Sequence, residues 1–467
     1  MPDLFFDSAL LPTGWTDDVR VSIDASGWIT AVASGVRPRG ATRLQGVAVP
    51  GVPNAHSHSF QRALAGRTER GSASGDSFWS WRERMYGFLR TLDPEAVEAI
   101  AAQLFVELLE HGFTSVAEFH YLRNDVDGRA YEDPVEMGRR VLAAADATSI
   151  GLTLLPTVYR SADFGGLPPT HEQRRFVTSV EDLVGDIAVL GAGAKAGSVR
   201  VGLALHSLRA VPPEELAVAV EAARAMDGSI PIHIHVAEQQ REVDACVAWS
   251  GARPAEWLLD NATLDSGWCI VHATHATPAE LEGLADTGAT IALCPSTEAN
   301  LGDGVFALPD YSEAGGSWAI GTDAHVARDP AEELRVLEYG QRLTTGSRNV
   351  AAGAAARSTA RAMLDAAWSG GAAACARRIG RIAPQLRADI VVLDDEHRSL
   401  VGRSGDDLLD SWVFSADRTP VRHVVVGGQW VVRDGRHHRA DQILERFAPV
   451  ARAHGVDQPQ LSMDLEE

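Results

Sequence analysis

Lysine is almost missing from this chain of 467 residues, in which 42 side chains are basic and 63 are acidic. The one lysine is Lys195, so the basic charge is almost wholly arginine. The net charge of −21 disfavours contact with phosphate backbones, and we therefore expect no nucleic-acid partner. The same field repels small anions, so an anionic substrate would require arginines placed locally in its site.

Cysteine is also scarce, and long apolar runs are lacking. The four cysteines are scattered without a CxxC pair, which argues against both a disulfide framework and a thiolate zinc site. No apolar run approaches the length of about 18 residues that spans a membrane, and the N-terminus does not resemble a signal peptide. We therefore expect no membrane association and a location in the reducing cytoplasm.

What is present is a regular alternation of strand and helix patterns through the middle of the chain. Asp93 is expected to cap a helix that begins at Pro94, runs through Leu109 and stops at Gly112. Strand–helix alternation predicts a parallel sheet, and eight such strands predict closure into a (β/α)8 barrel. These strands are predicted at 48–53, 115–119, 151–156, 200–205, 231–235, 269–272, 290–294 and 318–321.

Short strand patterns at the two ends of the chain predict a second, smaller domain. Residues 19–23 and 28–32 flank a turn, and residues 389–394, 421–426 and 430–433 show a similar pattern. The two ends would form one small β-sandwich-like domain from distant parts of the sequence. We assign residues 1–48 and 381–445 to this domain, 49–380 to the catalytic barrel and 446–467 to a C-terminal tail.

Histidines follow the predicted barrel strands at the points where the strands end. His56 and His58 would share one face of the first strand, because residues i and i+2 point the same way. Taken alone, this pair is more simply explained as two exposed loop residues. His235 ends a later strand, and Glu238 follows three residues on, at the mouth of the same loop.

Two further strands end in a histidine and a carboxylate, His272 and Asp323. Asp323 alone would be most simply a helix N-cap. Among nearby histidines, we expect His233 to pack or to form a hydrogen bond and His275 to lie in a loop, while the role of His325 is ambiguous. The combination favours a site, because the active sites of (β/α)8 barrels lie at the carboxyl ends of the strands. Imidazoles with a carboxylate suit Zn²⁺ or Fe²⁺ rather than Ca²⁺ or Mg²⁺.

The series HxH, His-x-x-Glu, His and Asp on successive strands resembles the amidohydrolase superfamily, and so does the segment GRIAPQLRADIVVLD. Many superfamily members bind two metals bridged by a carboxylated lysine on strand four. Here Lys195 precedes that strand, so we expect one divalent metal, Zn²⁺ with Fe²⁺ as the alternative. The resemblance implies that this metal is held by His56, His58, His235 and Asp323.

A closer resemblance, to the formimidoylglutamate deiminase family, covers nearly the whole chain. It is carried by NAHSHSFQRALAG, SFWSWRERMY, EFHYL, LALHSLRAV, HIHVAEQQ, STEANLGDG and GTDAHV followed by EELRVLEYGQRL. The family often has serine where this chain has Thr322. The resemblance implies hydrolytic deimination of N-formimino-L-glutamate to N-formyl-L-glutamate and ammonia, a step of histidine degradation, and it also implies a homodimer.

The same resemblance assigns roles to individual residues. Glu238 would move the proton of the attacking water, His272 would stabilise or protonate the tetrahedral centre, and Asp323 could be both ligand and proton acceptor. The substrate is a dicarboxylate, and bidentate recognition of carboxylate favours arginine, so Arg82 and Arg209 are the expected anchors. Further hydrogen bonds to the substrate would come from Gln61, Tyr121 and His206.

Several alternatives stay open. Arg62, Arg84 and Arg123 lie close by in the sequence and could take the role of the anchoring arginines, while the aromatic run at 78–81 is expected to pack or to contact a second subunit. Another superfamily deaminase, acting on a nucleobase or a triazine, would keep the metal and need no arginine anchors. A barrel that has lost catalysis and serves as a scaffold would instead be expected to lack some of these groups.

Overall fold

The computed structural model describes residues 3–71, 75–353 and 356–453. Its strands are β1 (Leu4–Leu11), β2 (Gly14–Ile23), β3 (Ile29–Ala33), β4 (Thr42–Pro50), β5 (Val52–Ser57), β6 (Phe113–His120), β7 (Gly151–Val158), β8 (Val199–Val201), β9 (Leu203–Ser207), β10 (Ile232–Val236), β11 (Trp268–His272), β12 (Thr290–Leu293), β13 (Ser317–Ile320), β14 (Ile390–Leu393), β15 (Val421–Val426), β16 (Gln429–Arg433) and β17 (Arg436–His437).

The helices are α1 (Phe78–Leu89), α2 (Pro94–His111), α3 (Glu136–Thr148), α4 (Val180–Ala192), α5 (Pro213–Met226), α6 (Gln240–Ser250), α7 (Pro254–Asn261), α8 (Pro278–Thr287), α9 (Pro295–Leu301), α10 (Leu308–Glu313), α11 (Pro330–Thr345), α12 (Thr359–Ala374), α13 (Asp406–Ser415) and α14 (Ala440–Ala453). Helix α14 crosses residue 446, where the C-terminal tail is predicted to begin. The part of that tail from residue 454 onward lies outside the described residues.

The middle of the chain forms the predicted barrel. Its parallel strands follow the order β5-β6-β7-β9-β10-β11-β12-β13, and β8 pairs with β7. A parallel bridge between Ser57 and Asp323 brings the first strand beside the end of the last one. The carbonyl oxygen of His56 accepts hydrogen bonds from the backbone N–H groups of Thr322 and Asp323, both at 3.1 Å. The prediction of a (β/α)8 barrel is therefore confirmed.

The two ends of the chain share one sheet, as the alternating patterns predict. The strand order is β17-β16-β15-β14-β4-β1-β2-β3, so a C-terminal strand, β14, lies antiparallel to an N-terminal strand, β4. Apolar side chains such as Phe6, Val19 and Ile390 form a core separate from that of the barrel. The small β-domain built from both termini is thus confirmed.

The first barrel helix shows why the sequence patterns were informative. The Asp93 side chain accepts a hydrogen bond from the backbone N–H of Ala96 at 2.7 Å, and Pro94 begins α2. Gly112 ends the helix with φ 104°, a left-handed conformation that glycine adopts without strain. Buried side chains such as Ile100 and Phe105 pack on the barrel, and each stabilises the fold by roughly 1.5–3 kcal/mol.

The cysteines and the helix lengths can be compared with what the sequence predicts. All four cysteines, Cys246, Cys269, Cys294 and Cys375, are buried and free. Over the ranges that the structure describes, each helix is too short or too polar to cross a lipid bilayer.

Candidate metal-dependent active site

Four side chains converge at the carboxyl end of the barrel. His56 lies at the end of β5, His58 directly follows that strand, His235 lies on β10, and Asp323 follows β13. The Nε2 atom of His56 lies 3.1 Å from Nε2 of His235 and 3.3 Å from Oδ1 of Asp323. Oδ1 of Asp323 is also 3.4 Å from Nε2 of His58. Residues separated by more than 260 positions in the sequence are thus within contact distance of one another.

Backbone carbonyl groups orient two of these imidazoles. Nδ1 of His58 lies 2.8 Å from the carbonyl oxygen of Phe119, and Nδ1 of His235 lies 2.7 Å from that of His206. Because a carbonyl oxygen can only accept, each Nδ1 carries the proton and each Nε2 presents its lone pair to the centre. Burial lowers the pKa of both His58 and His235, which favours the neutral form that binds metals.

This arrangement fits a single divalent cation. Oδ1 of Asp323 lies close to Nε2 of both His56 and His58, and Nε2 of His235 faces Nε2 of His56. Such acceptor atoms repel one another unless a proton or a cation lies between them. The Nδ1 atom of His56 is buried and has no hydrogen-bond partner among the described residues. Ligand atoms of His56, His58 and Asp323 lie within 4.8 Å of one another, and so do those of His56, His235 and His272. Imidazole nitrogens and a carboxylate oxygen at such distances suit Zn²⁺ or Fe²⁺.

The backbone is left-handed at several residues that follow the barrel strands. Positive φ angles occur at Ala237 (51°), His272 (71°), Ala273 (52°), Asp323 (44°) and His325 (61°). For residues other than glycine this conformation costs of order 1 kcal/mol or more, and it persists only where the surroundings impose it. The sharp turns aim the side chains of His272 and Asp323 toward the centre.

A buried polar network supports the loop that carries Asp323. Asn54 donates to Oγ1 of Thr322 at 2.7 Å, and the same oxygen lies 2.8 Å from Nδ1 of His325. Nε2 of His325 is 3.2 Å from the hydroxyl of Ser57. His325, whose role the sequence left ambiguous, therefore has both ring nitrogens in this network. Thr322 supplies the hydroxyl that the serine found at this position in the family would supply.

Glu118 holds the loop of the HxH pair and was missed in the sequence. Its carboxylate accepts a hydrogen bond from the Ser57 hydroxyl at 2.5 Å, and it accepts two from Ser59, from the backbone N–H at 2.8 Å and from the hydroxyl at 2.7 Å. Burial raises the pKa of Glu118 to about 7. The EFHYL motif contains this residue, so its position near the end of β6 was a usable signal.

The carboxylate of Glu238 and the imidazole of His272 lie beside the four converging side chains. Oε1 of Glu238 is 3.7 Å from Nε2 of His272, and that nitrogen is 3.9 Å from Oδ2 of Asp323. Burial raises the pKa of Glu238 to about 7. Burial lowers the pKa of His272, but the carboxylates of Glu238, Glu298 and Asp323 outweigh it and raise that pKa to about 10. Glu298, which lies 3.2 Å from Nδ1 of His272, was also missed in the sequence.

A cavity opens over these groups. It brings together the residues predicted to bind the substrate and the groups already described. The predicted substrate residues that line it are Gln61, Arg82, Tyr121, His206 and Arg209. The same cavity is lined by His58, His235, Glu238, His272 and Asp323.

Two arginines of the cavity lack a carboxylate partner among the described residues. Arg209 is 7 % exposed, and the Nε atoms of Arg209 and Arg82 are buried without a hydrogen-bond partner in the described part of the chain. Gln61 donates to the hydroxyl of Tyr121 at 3.1 Å, while its own carbonyl oxygen has no partner there. Against the lowering effect of burial, the charges of Glu242 and Glu238 raise the pKa of Arg209, without forming an ion pair with it among the described residues. The cavity therefore combines guanidinium groups that no carboxylate binds directly with free hydrogen-bonding groups.

The competing arginines are engaged elsewhere. Arg62 pairs with Glu107 at 2.7 Å, and Arg123 pairs with Asp186 at 2.6 Å. Arg84 donates to the backbone carbonyl of residue 68 at 2.9 Å. None of the three is among the described residues that line the cavity.

Aromatic side chains form much of the remaining cavity wall. Phe78 and Trp81 line it, although the aromatic run of α1 was expected to pack or to contact a second subunit. Tyr159 also lines the cavity and directly follows β7, so the strand-end rule that found the histidines would have found it too. Lys195, by contrast, precedes β8, and its side chain is 68 % exposed.

Comparison with known proteins places the chain in a family. Residues 47–431 match the amidohydrolase family, and residues 4–46 match the N-terminal domain of the formimidoylglutamate deiminase HutF. The chain belongs to the amidohydrolase family and is accordingly a metal-dependent hydrolase that acts on C–N bonds.

Individual relatives narrow this class. The chain is 47 % identical over 450 residues to the formimidoylglutamate deiminase of Pseudomonas aeruginosa. The aligned region covers 96 % of this chain and 99 % of that protein. A crystal structure of an amidohydrolase from Brucella melitensis is 43 % identical, with a TM-score of 0.90 over 97 % of this chain and all of that one. The zinc complex of atrazine chlorohydrolase from Arthrobacter aurescens shares the fold, with a TM-score of 0.81 at 21 % identity over 97 % of this chain and all of that one. The resemblance that the motifs carry is thereby confirmed.

Proposed function

We propose that this hydrolase is a formimidoylglutamate deiminase, which converts N-formimino-L-glutamate to N-formyl-L-glutamate and ammonia in histidine degradation. The observation that carries the proposal is the pair Arg82 and Arg209, which line the cavity over the donor cluster without a carboxylate partner among the described residues. A substrate with two carboxylates would supply those partners. The similarity to the Pseudomonas aeruginosa enzyme supports the same substrate.

In this proposal one divalent metal, Zn²⁺ with Fe²⁺ as the alternative, is held by four residues. His56 and His58 would bind it from the end of β5, Asp323 from the end of the neighbouring strand β13, and His235 from β10 across the barrel. When bound, the metal would lower the pKa of a water molecule far below that of bulk water, to about 7, which makes hydroxide available at neutral pH.

The chain's own acid–base groups then act on the proton and the leaving group. Glu238 accepts the proton of the attacking water and passes it to the formimino nitrogen, a role worth about 10²–10⁴-fold in rate. The water oxygen forms a bond to the formimino carbon while the C=N bond becomes a single bond. The remaining hydroxyl proton then passes by way of Asp323 to the same terminal nitrogen, whose bond to carbon breaks as the C=O bond forms, so that ammonia leaves. His272, which Glu298 holds through Nδ1, stabilises charge at the tetrahedral centre with its Nε2–H. Asp323 serves as a ligand and as a second proton acceptor.

The remaining cavity residues bind the glutamate portion. Arg82 and Arg209 bind the two carboxylates, because a planar guanidinium can donate two parallel hydrogen bonds to one carboxylate. Gln61, Tyr121 and His206 add hydrogen bonds from the same wall of the cavity. The net charge of −21 makes such local arginines necessary for the capture of an anion.

The rival functions are less well supported. A neutral nucleobase or triazine would leave two positive charges in the cavity without partners, at a cost in binding free energy. A non-catalytic scaffold has no use for the donor cluster together with Glu238 and His272. The homodimer and the cytoplasmic location stay predictions.

The test is ammonia release by the purified protein on N-formimino-L-glutamate, guanine and cytosine, each with and without a chelator. We expect turnover of N-formimino-L-glutamate alone, lost with the chelator and restored by added Zn²⁺. Turnover of a nucleobase with none on N-formimino-L-glutamate would overturn the assignment. An empty metal analysis, with no activity on any of the three after Zn²⁺ is added, would favour the scaffold.

A further inference from the structure

One indole lies against three arginines at the edge of the cavity. The guanidinium carbon of Arg82 lies 4.5 Å from the ring centroid of Trp79, that of Arg209 lies 5.7 Å from it, and that of Arg241 lies 4.4 Å from it. All three distances are within the range of about 6 Å over which a cation is attracted to an aromatic face. Trp79 itself is not among the described residues that line the cavity.

Different elements bring these side chains together. Trp79 and Arg82 are three residues apart on α1, so they share one face of that helix. Arg209 follows β9, and Arg241 lies in the first turn of α6, three residues after Glu238. Two of the arginines line the cavity, while Arg241 is exposed.

We propose that Trp79 is a positioning residue that holds Arg82 and Arg209 in the cavity as free cations for the carboxylates of the substrate. This inference rests on the proposed function and deepens it, because it names the residue that sets the preference for a dicarboxylate.

The physical reason is that a carboxylate of the protein would compete with the substrate for the N–H groups of each arginine. A partly buried arginine is usually stabilised by a carboxylate of the protein, but such a carboxylate would occupy the N–H groups that the substrate needs. An indole attracts the cation through its π face and accepts no strong hydrogen bond, so the edge of each guanidinium stays free. Tyr86 contributes a second ring to Arg82 at 5.5 Å. Without Trp79, Arg82 would keep only the ring of Tyr86, and Arg209 would lose its contact with the indole.

The experiment measures binding of glutarate, a plain dicarboxylate, to the zinc-supplemented full-length protein by titration calorimetry. We expect W79L to bind glutarate about tenfold more weakly than the wild type, and W79F, which keeps an aromatic face, to lose about threefold. In turnover of N-formimino-L-glutamate the same variants should raise KM by similar factors and leave kcat within about twofold, with unchanged zinc content.

The matched control is W430L in the small β-domain. Trp430 also lies against an arginine, with the guanidinium carbon of Arg433 at 4.3 Å from its ring centroid, so the substitution removes the same type of contact far from the cavity. We expect W430L to bind glutarate like the wild type. Melting curves of all variants identify any loss that comes from unfolding rather than from the site.

The outcomes separate this inference from the proposed function. Unchanged binding of glutarate by W79L, together with lost binding by R209A, refutes the role of Trp79 and leaves the proposed function standing. Binding that depends on Trp79, with no ammonia release from N-formimino-L-glutamate, refutes the proposed function and leaves the role of Trp79 standing. No binding of glutarate by the wild type refutes the inference.

Discussion

Removal of the Arg209 side chain tests the proposed substrate most directly. This guanidinium is 7 % exposed, lines the cavity and has no carboxylate partner among the described residues, so its hydrogen-bonding capacity is available to a ligand. A charge-assisted pair of hydrogen bonds to a carboxylate contributes about 1.5–3 kcal/mol. Because about 1.4 kcal/mol corresponds to a tenfold change in affinity, R209A should raise KM roughly 10- to 150-fold.

The assay is steady-state ammonia release on N-formimino-L-glutamate. We expect R209A to raise KM by this factor and to leave kcat within about threefold, since the arginine lies away from the breaking bond. R209K keeps the charge and loses the planar pair of donors, so its KM should lie between those of the wild type and R209A.

The matched control is R43A, which removes one arginine from the surface of the small domain, where Arg43 pairs with Asp7 at 2.8 Å. It changes the net charge by the same amount and should leave both constants unchanged. If R209A also left both constants unchanged, the assignment of a carboxylate to this arginine would be wrong.

Four further outcomes follow from the site. E238Q should lower kcat by about 10²–10⁴-fold and keep its metal content, measured by turnover and metal analysis. E298Q should lower kcat more than it raises KM, because it weakens the contact that orients His272. G321A should lower both the melting temperature and the metal content, since a Cβ there would lie 2.7 Å from Cβ of His56. A chelator should lower the melting temperature, because a metal at 100 times its Kd stabilises the fold by about 2.7 kcal/mol.

Local patterns in the sequence accounted for the barrel and singled out the four side chains, His56, His58, His235 and Asp323, that the structure brings together. Each barrel strand was found because it is an apolar run between helix signals, and α2 because Asp93, Pro94 and Gly112 mark its ends. The discrepancies are local. The prediction at 48–53 runs across the break between β4 and β5, and the prediction at 200–205 spans the end of β8 and the beginning of β9.

Other features depend on contacts that no local pattern contains. Arg62 and Arg123 could be separated from the cavity only by the acids that bind them, which lie 45 and 63 residues away in the sequence. Glu298 reaches His272 from α9, and nothing in STEANLGDG shows that contact. The wall formed by Phe78 and Trp81 depends on where α1 packs, which hydrophobic periodicity does not specify.

The residues that close the barrel, His56 and Asp323, also belong to the cluster of converging side chains. The carbonyl oxygen of His56 accepts hydrogen bonds from the backbone N–H groups of Thr322 and Asp323 and so joins the first strand to the end of the last. The side chains of His56 and Asp323 are two of the four that we propose as metal ligands. Gly321 allows this close approach because a side chain there would overlap His56. A cation bound by these donors would therefore hold together the strand pair that completes the fold, so that metal binding and barrel stability are linked.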